Sequence, residues 1–335
     1  MTMSFPQPTN LLTPYFHPTT ACFVDDNESF LTGLDMVLPR YMRSIAFFDP
    51  SQALEFVNRP PATPALADRA FQVTNRKGTD FAFDLDVIEQ EIRQVQRFSR
   101  ISVVFVDYSM PTIDGLEFCE SITDRSIGRV LLTGVADEKT AVAAFNAGII
   151  DRFISKSHPR ATQDLTEFSV SMQHEYFKAQ CLQMKRTLAL SGVSFLDDPE
   201  IAEFVHRLME ERGFCEYYLL DEPPGLMLVT PQGSVAQLLI LSAEECAAQL
   251  AFARQHGAPW MARRRLERGT HVGYFLEGVE SYDISGGEPY PWAQLIHRAQ
   301  TLGASNWRVA LIEQPAVPID YSEAETSYNG FVAGS

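Results

Sequence analysis

Four stretches of the chain place a functional side chain where an apolar run stops. They are Asp25-Asp26 after ACFV, Asp107 in VVFVDYSMPTIDGLEF, Thr133 in VLLTG, and Phe153 with Lys156 in RFISK. Short apolar runs that end this way read as strands, and open α/β sheets gather their sites at the carboxyl ends of strands. Three carboxylates brought to one spot repel each other, so the set makes sense around a cation. Mg²⁺ prefers oxygen ligands and keeps several waters, which suits one or two carboxylates plus a phosphate. A carboxylate can also take a phosphoryl group as an aspartyl phosphate. Charge then spreads over the equatorial oxygens, where a metal, a hydroxyl and an ammonium stabilise it by position and electrostatics. Asp25, Asp26, Asp107, Thr133 and Lys156 supply those groups.

This set resembles the receiver domain of bacterial two-component response regulators over roughly residues 19–158. An acidic pair ends the first strand there, matching Asp25 and Asp26. A D-x-x-M-P-x-x-x-G pattern ends the third, matching Asp107, Met110, Pro111 and Gly115. Thr133 and Lys156 match the residues ending strands four and five, and Phe153 matches an aromatic rotameric switch. The resemblance implies Asp107 as phosphoacceptor. It implies Mg²⁺ held by Asp26, Asp107 and the backbone carbonyl of Ser109, with Asp25 acting mainly through water. Thr133 and Lys156 would contact the phosphoryl group, and the donor would be a sensor histidine kinase or phosphotransfer protein. One departure stands out: Ser157-His158-Pro159 follows Lys156, where the family usually has Pro directly after the Lys.

The elements that would position these residues alternate. Strands are expected at Ala21–Val24, Ile45–Phe48, Ser102–Val106, Arg129–Leu132 and Arg152–Ser155. Helices are expected at Asn27–Leu38, Asp49 to about Asn58, Gly115–Thr123 and Asp137–Ala147. Such alternation predicts an α/β domain with a doubly wound, five-stranded parallel sheet of the flavodoxin-like kind. Residues 59–99 interrupt the pattern with a Pro-rich stretch and a helical pattern over Phe81–Arg97. The insert reads either as packing on its own domain or as a docking surface for the second one. Residues 1–18, rich in Pro and Thr, read as a disordered tail. Residues 159–195 read as a connector helix, with Leu165, Phe168, Met172, Tyr176, Ala179 and Leu182 at helical steps. That seam suits either a homodimer through residues 160–190 or packing along the chain's own second domain.

Residues 196–335 have a different grammar. A helix from Asp198 to Arg212 is followed by strands at Cys215–Leu220, Leu226–Thr230 and Val235–Leu241, joined by tight turns. A helix over Ala243–His256 comes next. Then come strands at Tyr274–Leu276 and Trp307–Ile312, with a helix through Trp292, Leu295, Ile296 and Ala299 between them. This predicts a second, α+β domain with an antiparallel meander. Its chemistry is sparse. Arg263-Arg264-Arg265 with Arg268 reads first as a solvated charged face, and His206 and Cys215 have nothing to place them together. A faint helix-turn-helix pattern over residues 242–269 is interrupted by Pro259.

Composition sets outer bounds. The chain has 335 residues, 45% apolar and 21% charged, with a net charge of −16 spread evenly along its length. An acidic chain matches DNA poorly, because phosphate neutralisation needs a basic face. It also matches an anionic membrane poorly, and no apolar run approaches the ~18 residues that cross a bilayer. Five scattered cysteines form no metal spacing and suggest free thiols in a cytoplasmic setting. The resulting expectation is a response regulator whose C-terminal half signals by binding protein or ligand rather than by turnover, with DNA-binding output as the alternative.

Overall fold

Two sheets of opposite character organise the chain. The computed structural model describes residues 11–31, 42–61, 90–134, 138–182, 194–220, 223–275, 291–303, 306–313, 315 and 326–334. The first sheet contains β2 (Thr19–Val24), β3 (Met42–Phe47), β4 (Ile101–Asp107), β5 (Gly128–Thr133) and β6 (Arg152–Ser155). All its pairings are parallel, in the order β3-β2-β4-β5-β6. Strands β2, β4 and β5 are buried at every residue, as strands covered on both faces must be. Alternate side chains feed two cores. Cys22, Val24, Val104, Val106 and Leu131 enter one; Ala21, Phe23, Val103, Phe105 and Val130 enter the other.

The crossover helices are α1 (Glu28–Leu31), α2 (Pro50–Val57), α3 (Gly115–Ser121), α4 (Glu138–Asn146) and α5 (Ala161–Gln180). Their starts follow local chemistry. Asp49 accepts from the Ser51 N–H with Pro50 in the first turn, and Asp114 accepts from the N–H groups of Leu116 and Glu117. Residues 32–38 of the expected first helix lie outside the described residues.

The second sheet is antiparallel throughout. It joins β1 (Tyr15–Phe16), β7 (Glu216–Leu220), β8 (Gly225–Val229), β9 (Val235–Leu241), β13 (Trp307–Ile312) and β12 (Gln300–Leu302), in that order. A small ladder of β10 (His271–Gly273) and β11 (Ile296–Arg298) lies apart from it. Helix α6 (Pro199–Arg212) is capped by Asp198 and ends at Gly213, whose φ of 71° suits the left-handed cap. Ser242 and Glu245 form a capping box on α7 (Ala243–Gln255), which precedes α8 (Trp260–Glu267). Short helices α9 (Trp292–Leu295) and α10 (Tyr328–Ala333) complete the described elements.

Four expectations need correction. Residues 11–18 are not a loose tail: Leu12 and Tyr15 are buried, and β1 adds an edge strand to the second sheet. Proline removes only a donor; the Pro14 carbonyl still accepts from the Leu219 N–H at 2.8 Å. Residues 1–10 lie outside the described residues, as does most of the insert, 62–89. In the insert's described end, the expected helix to Arg97 is broken. Gln94 is extended and a 3₁₀ turn spans Val95–Ser99. The Arg97 guanidinium folds back onto the carbonyls of Ile92 and Gln94, which an unbroken helix would have kept for its own ladder.

The connector's apolar seam is covered by its own chain. Leu165 and Met172 lie under the first sheet, and Tyr176 and Phe177 enter the core that both domains share. Gly128 makes room for Met172: a Cβ there would sit 2.7 Å from its Sδ. Ala179 and Leu182, at the far end of the seam, remain exposed; residues 183–193 lie outside the described residues. Finally, Trp292–Ala299 is helical for one turn only. Ile296–Arg298 is drawn into a ladder with β10, which itself lies earlier than the strand expected at Tyr274–Leu276.

The domains meet across a buried charge pair. Arg97 Nε and Nη2 donate to the Glu216 carboxylate at 2.8 and 3.0 Å, and the Tyr218 hydroxyl donates to it at 2.6 Å. Both charged side chains are fully buried. Beside them Phe98 packs on Tyr328 and Phe331 of α10. The described end of the insert thus docks on the second domain. Arg97→Met leaves Glu216 buried and unpaired, so we expect a loss of about 3–5 kcal/mol in denaturant unfolding. The double change Arg97→Met/Glu216→Leu should recover most of it.

Candidate functional site

Strand order reverses between β2 and β4, and the chain places a carboxylate at the end of each. Asp107 closes β4, and Asp25 follows β2, its N–H donating to the Phe47 carbonyl. Carboxylate oxygens of Asp25, Asp26 and Asp107 lie within 4.8 Å of one another. Lys156 follows β6, held there by its backbone N–H donating to the Thr133 carbonyl at 2.9 Å. Its Nζ lies 2.6 Å from Asp25 Oδ2 and 2.6 Å from Asp107 Oδ1. Asp25 is fully buried, Asp107 nearly so, and Asp26 is exposed.

One ammonium therefore faces three carboxylates. Burial raises the proton affinity of Asp25 above the usual carboxylate range. Lys156 and the Asn27 N–H oppose that shift, and the Asp107 charge adds to it. The backbone holds both acids in place: the Asn27 N–H donates to Asp25 Oδ1 at 2.9 Å, and the Ser109 N–H to Asp107 Oδ2 at 3.2 Å. The oxygen-only donor set and its surplus of negative charge fit a hard divalent cation such as Mg²⁺.

The other expected residues are placed less uniformly. Thr133 is fully buried at the end of β5, and its hydroxyl donates to the Ile154 carbonyl at 3.5 Å, a long bond. Phe153 is half-buried against the core that contains Leu131, Ala141 and Ala144. The loop after Lys156 closes without the family's proline, through the His158 N–H donating to the Ser155 carbonyl. His206 is not brought to Cys215. It meets His174 of α5 instead, and burial lowers its pKa to about 4.

Two residues gain roles that residue types alone did not reveal. Phe30 lies under Lys156 Nζ at 4.9 Å from the ring centroid, so an aromatic face helps hold the ammonium. Gly115 permits α3 to approach the site: a Cβ there would come 2.4 Å from the Asp107 carbonyl oxygen and 2.8 Å from Leu131 Cδ1.

Comparison with known proteins agrees with this geometry. Residues 84–167 match the response regulator receiver domain family. Nearly the whole chain resembles the Legionella pneumophila response regulator LqsR, with 29% identity, 96% of this chain and 95% of that one covered, and a TM-score of 0.76. The cyclic di-GMP phosphodiesterase response regulator RpfG of Xanthomonas campestris pv. campestris (strain 8004) is 32% identical over 98 residues. That match is 28% of this chain, and it spans only 26% of RpfG. The chain carries a response regulator receiver domain of the two-component type, joined to a second domain. Among the described residues no helix is long and apolar enough to cross a membrane.

Two substitutions test the geometry. A carboxyl with raised folded-state proton affinity stabilises when protonated, and that contribution is lost as pH rises through its folded pKa. Asp25→Asn should therefore raise the unfolding midpoint at neutral pH without divalent cation. The gain should shrink as pH falls toward the ordinary aspartate value of 3.8. Gly115→Ala should displace the end of β4 and reduce divalent-cation affinity in a fluorescence or calorimetric titration, while far-UV circular dichroism stays native.

Proposed function

We propose that this chain is a response regulator that accepts a phosphoryl group on Asp107 from a sensor histidine kinase or phosphotransfer protein. The observation that carries the reading is the Lys156 ammonium shared at 2.6 Å between Asp25 and Asp107, beside the exposed carboxylate of Asp26. The side chains of Asp26 and Asp107 and the backbone carbonyl of Ser109 would hold Mg²⁺, with Asp25 acting through water. The bound cation supplies neutralisation of the phosphoryl oxygens.

The protein's own residues then perform the transfer. An Asp107 oxygen attacks phosphorus, the P–N bond of the donor phosphohistidine breaks, and the imidazole leaves with the bond's electron pair. Lys156 already touches Asp107, so its ammonium is in place to follow the new negative charge onto a phosphoryl oxygen. Asp25 keeps that ammonium oriented from the buried side. The long Thr133 bond to Ile154 is weak enough to exchange for a phosphoryl oxygen. Phe153, half-exposed on the neighbouring strand, turns inward behind the displaced hydroxyl. The protein behaves as a two-state switch whose active population rises on phosphorylation.

Helix α5 is the mechanical route onward, because Leu165 and Met172 lie under the receiver sheet while Tyr176 and Phe177 reach the shared core. The second domain acts as a binding output module. Incubation with Mg²⁺ and acetyl phosphate should add one phosphoryl group to the intact mass, and Asp107→Asn should abolish it. Lys156→Ala should slow labelling by on the order of 10²-fold. A wild-type mass unchanged by acetyl phosphate, by phosphoramidate and by a phosphorylated histidine phosphotransfer protein overturns the reading.

A further inference from the structure

The net charge of −16 conceals a local concentration of cations. Helix α8 buries Ala262 and Leu266 and exposes Arg264, Arg265 and Arg268. The sheet elements bring more. Arg298 sits opposite His271 in the β10–β11 ladder. The guanidinium of Arg308 in β13 lies against the end of α8, where a Cβ on Gly269 would come 2.5 Å from its Nε. His271 registers the crowding: burial lowers its proton affinity, and Arg265 and then Arg298 lower it further.

Two carboxylates on the flanking helices are otherwise engaged. Glu267 pairs with Arg254 at 3.3 Å, and Glu245 accepts from the Ser242 N–H in the capping box. Among the described residues none of these five arginines forms an ion pair with a carboxylate. A helix end favours cations in its last turn, which accounts for Arg264 and Arg265. It does not account for Arg298 and Arg308, which arrive on strands. Like charges gathered without counter-charges among the described residues favour an anionic ligand.

The shape of the patch narrows that ligand. Trp260, 60% exposed at the start of α8, has the Arg264 guanidinium 5.8 Å from its ring centroid. A lipid surface would need the apolar stripe of α8, but Ala262 and Leu266 are packed with Ala253, Ala258 and Trp292. The cations are all arginine, whose planar fork matches phosphate oxygens in pairs. A solvent-facing indole beside phosphate-binding arginines suits unpaired bases, which stack on aromatic side chains while the backbone follows a basic track.

We propose that this face of the second domain binds single-stranded nucleic acid, with phosphates on the five arginines and a base stacked on Trp260. The assignment goes beyond the phosphoryl-acceptance reading and is tested on unphosphorylated protein, so either can fail without the other. The full-length chain is titrated, by fluorescence anisotropy, into labelled mixed-sequence RNA and DNA single strands of about 20 nucleotides, the order of size one such module covers. The same sequence as a duplex and phosphatidylcholine–phosphatidylglycerol vesicles form the comparison arms.

We expect single-strand binding whose affinity falls about 10²-fold between roughly 50 and 200 mM salt, as about five phosphate contacts require. The double variant Arg264→Glu/Arg265→Glu should abolish it, and Trp260→Ala should weaken it by about tenfold or more. Arg298→Glu, on a different element, should also weaken it, which guards against misfolding of the helix variant. Absence of salt-sensitive binding, binding indifferent to the charge reversals, or tighter binding to duplex or vesicles overturns the proposal.

Discussion

A surplus of negative charge at one end of a parallel sheet is the constraint around which the receiver is built. The reversal of strand order between β2 and β4 forces Asp25 and Asp107 side by side, and the Asp-Asp sequence adds a third carboxylate. One ammonium cannot neutralise three anions. The balance left over favours a divalent cation among the carboxylates. Much nearby detail serves to keep the charges close: the amides of Asn27 and Ser109, the ring of Phe30, and the absence of a side chain at Gly115.

The second constraint lies at the opposite end of the sheet. The amino-terminal ends of β2 and β4 meet the second domain through β1, the 3₁₀ turn that carries Arg97, and the lower half of α5. A buried ion pair is costly to desolvate and costlier to break, so the Arg97–Glu216 contact resists separation of the domains. Tyr15, Phe16, Phe177 and Tyr217 form one aromatic group drawn from both sides of the junction. The two domains are therefore joined by a continuous core.

What was legible in the sequence follows from the range of the forces involved. Apolar runs and turn residues act over a few positions, so the five parallel strands and the helix from Asp198 to Arg212 could be read directly. The acidic site was legible because each member ends its own apolar run. Long-range partners were not. Nothing local to Tyr15 announces β7, and Arg97 reads as the end of a helix until Glu216 is placed beside it. The apolar steps of α5 were visible, but periodicity reports a buried face without saying what covers it. Net charge failed differently: it averages over a surface on which the arginines are gathered.

The pairing of β1 with β7 bears on how the polypeptide comes off the ribosome. Tyr15 emerges about 200 residues before Tyr218, the partner it will finally face. At roughly 5–20 residues per second, synthesis leaves that strand waiting for some 10–40 seconds while the parallel sheet behind it closes. The aromatic side chains of Tyr15 and Phe16 wait for Tyr217 over that interval, and Phe177 joins them only in its last part. A nascent chain arrested within it would present the sticky surfaces that chaperones recognise, since the earliest strand finds its partner only after every strand of the parallel sheet has been made.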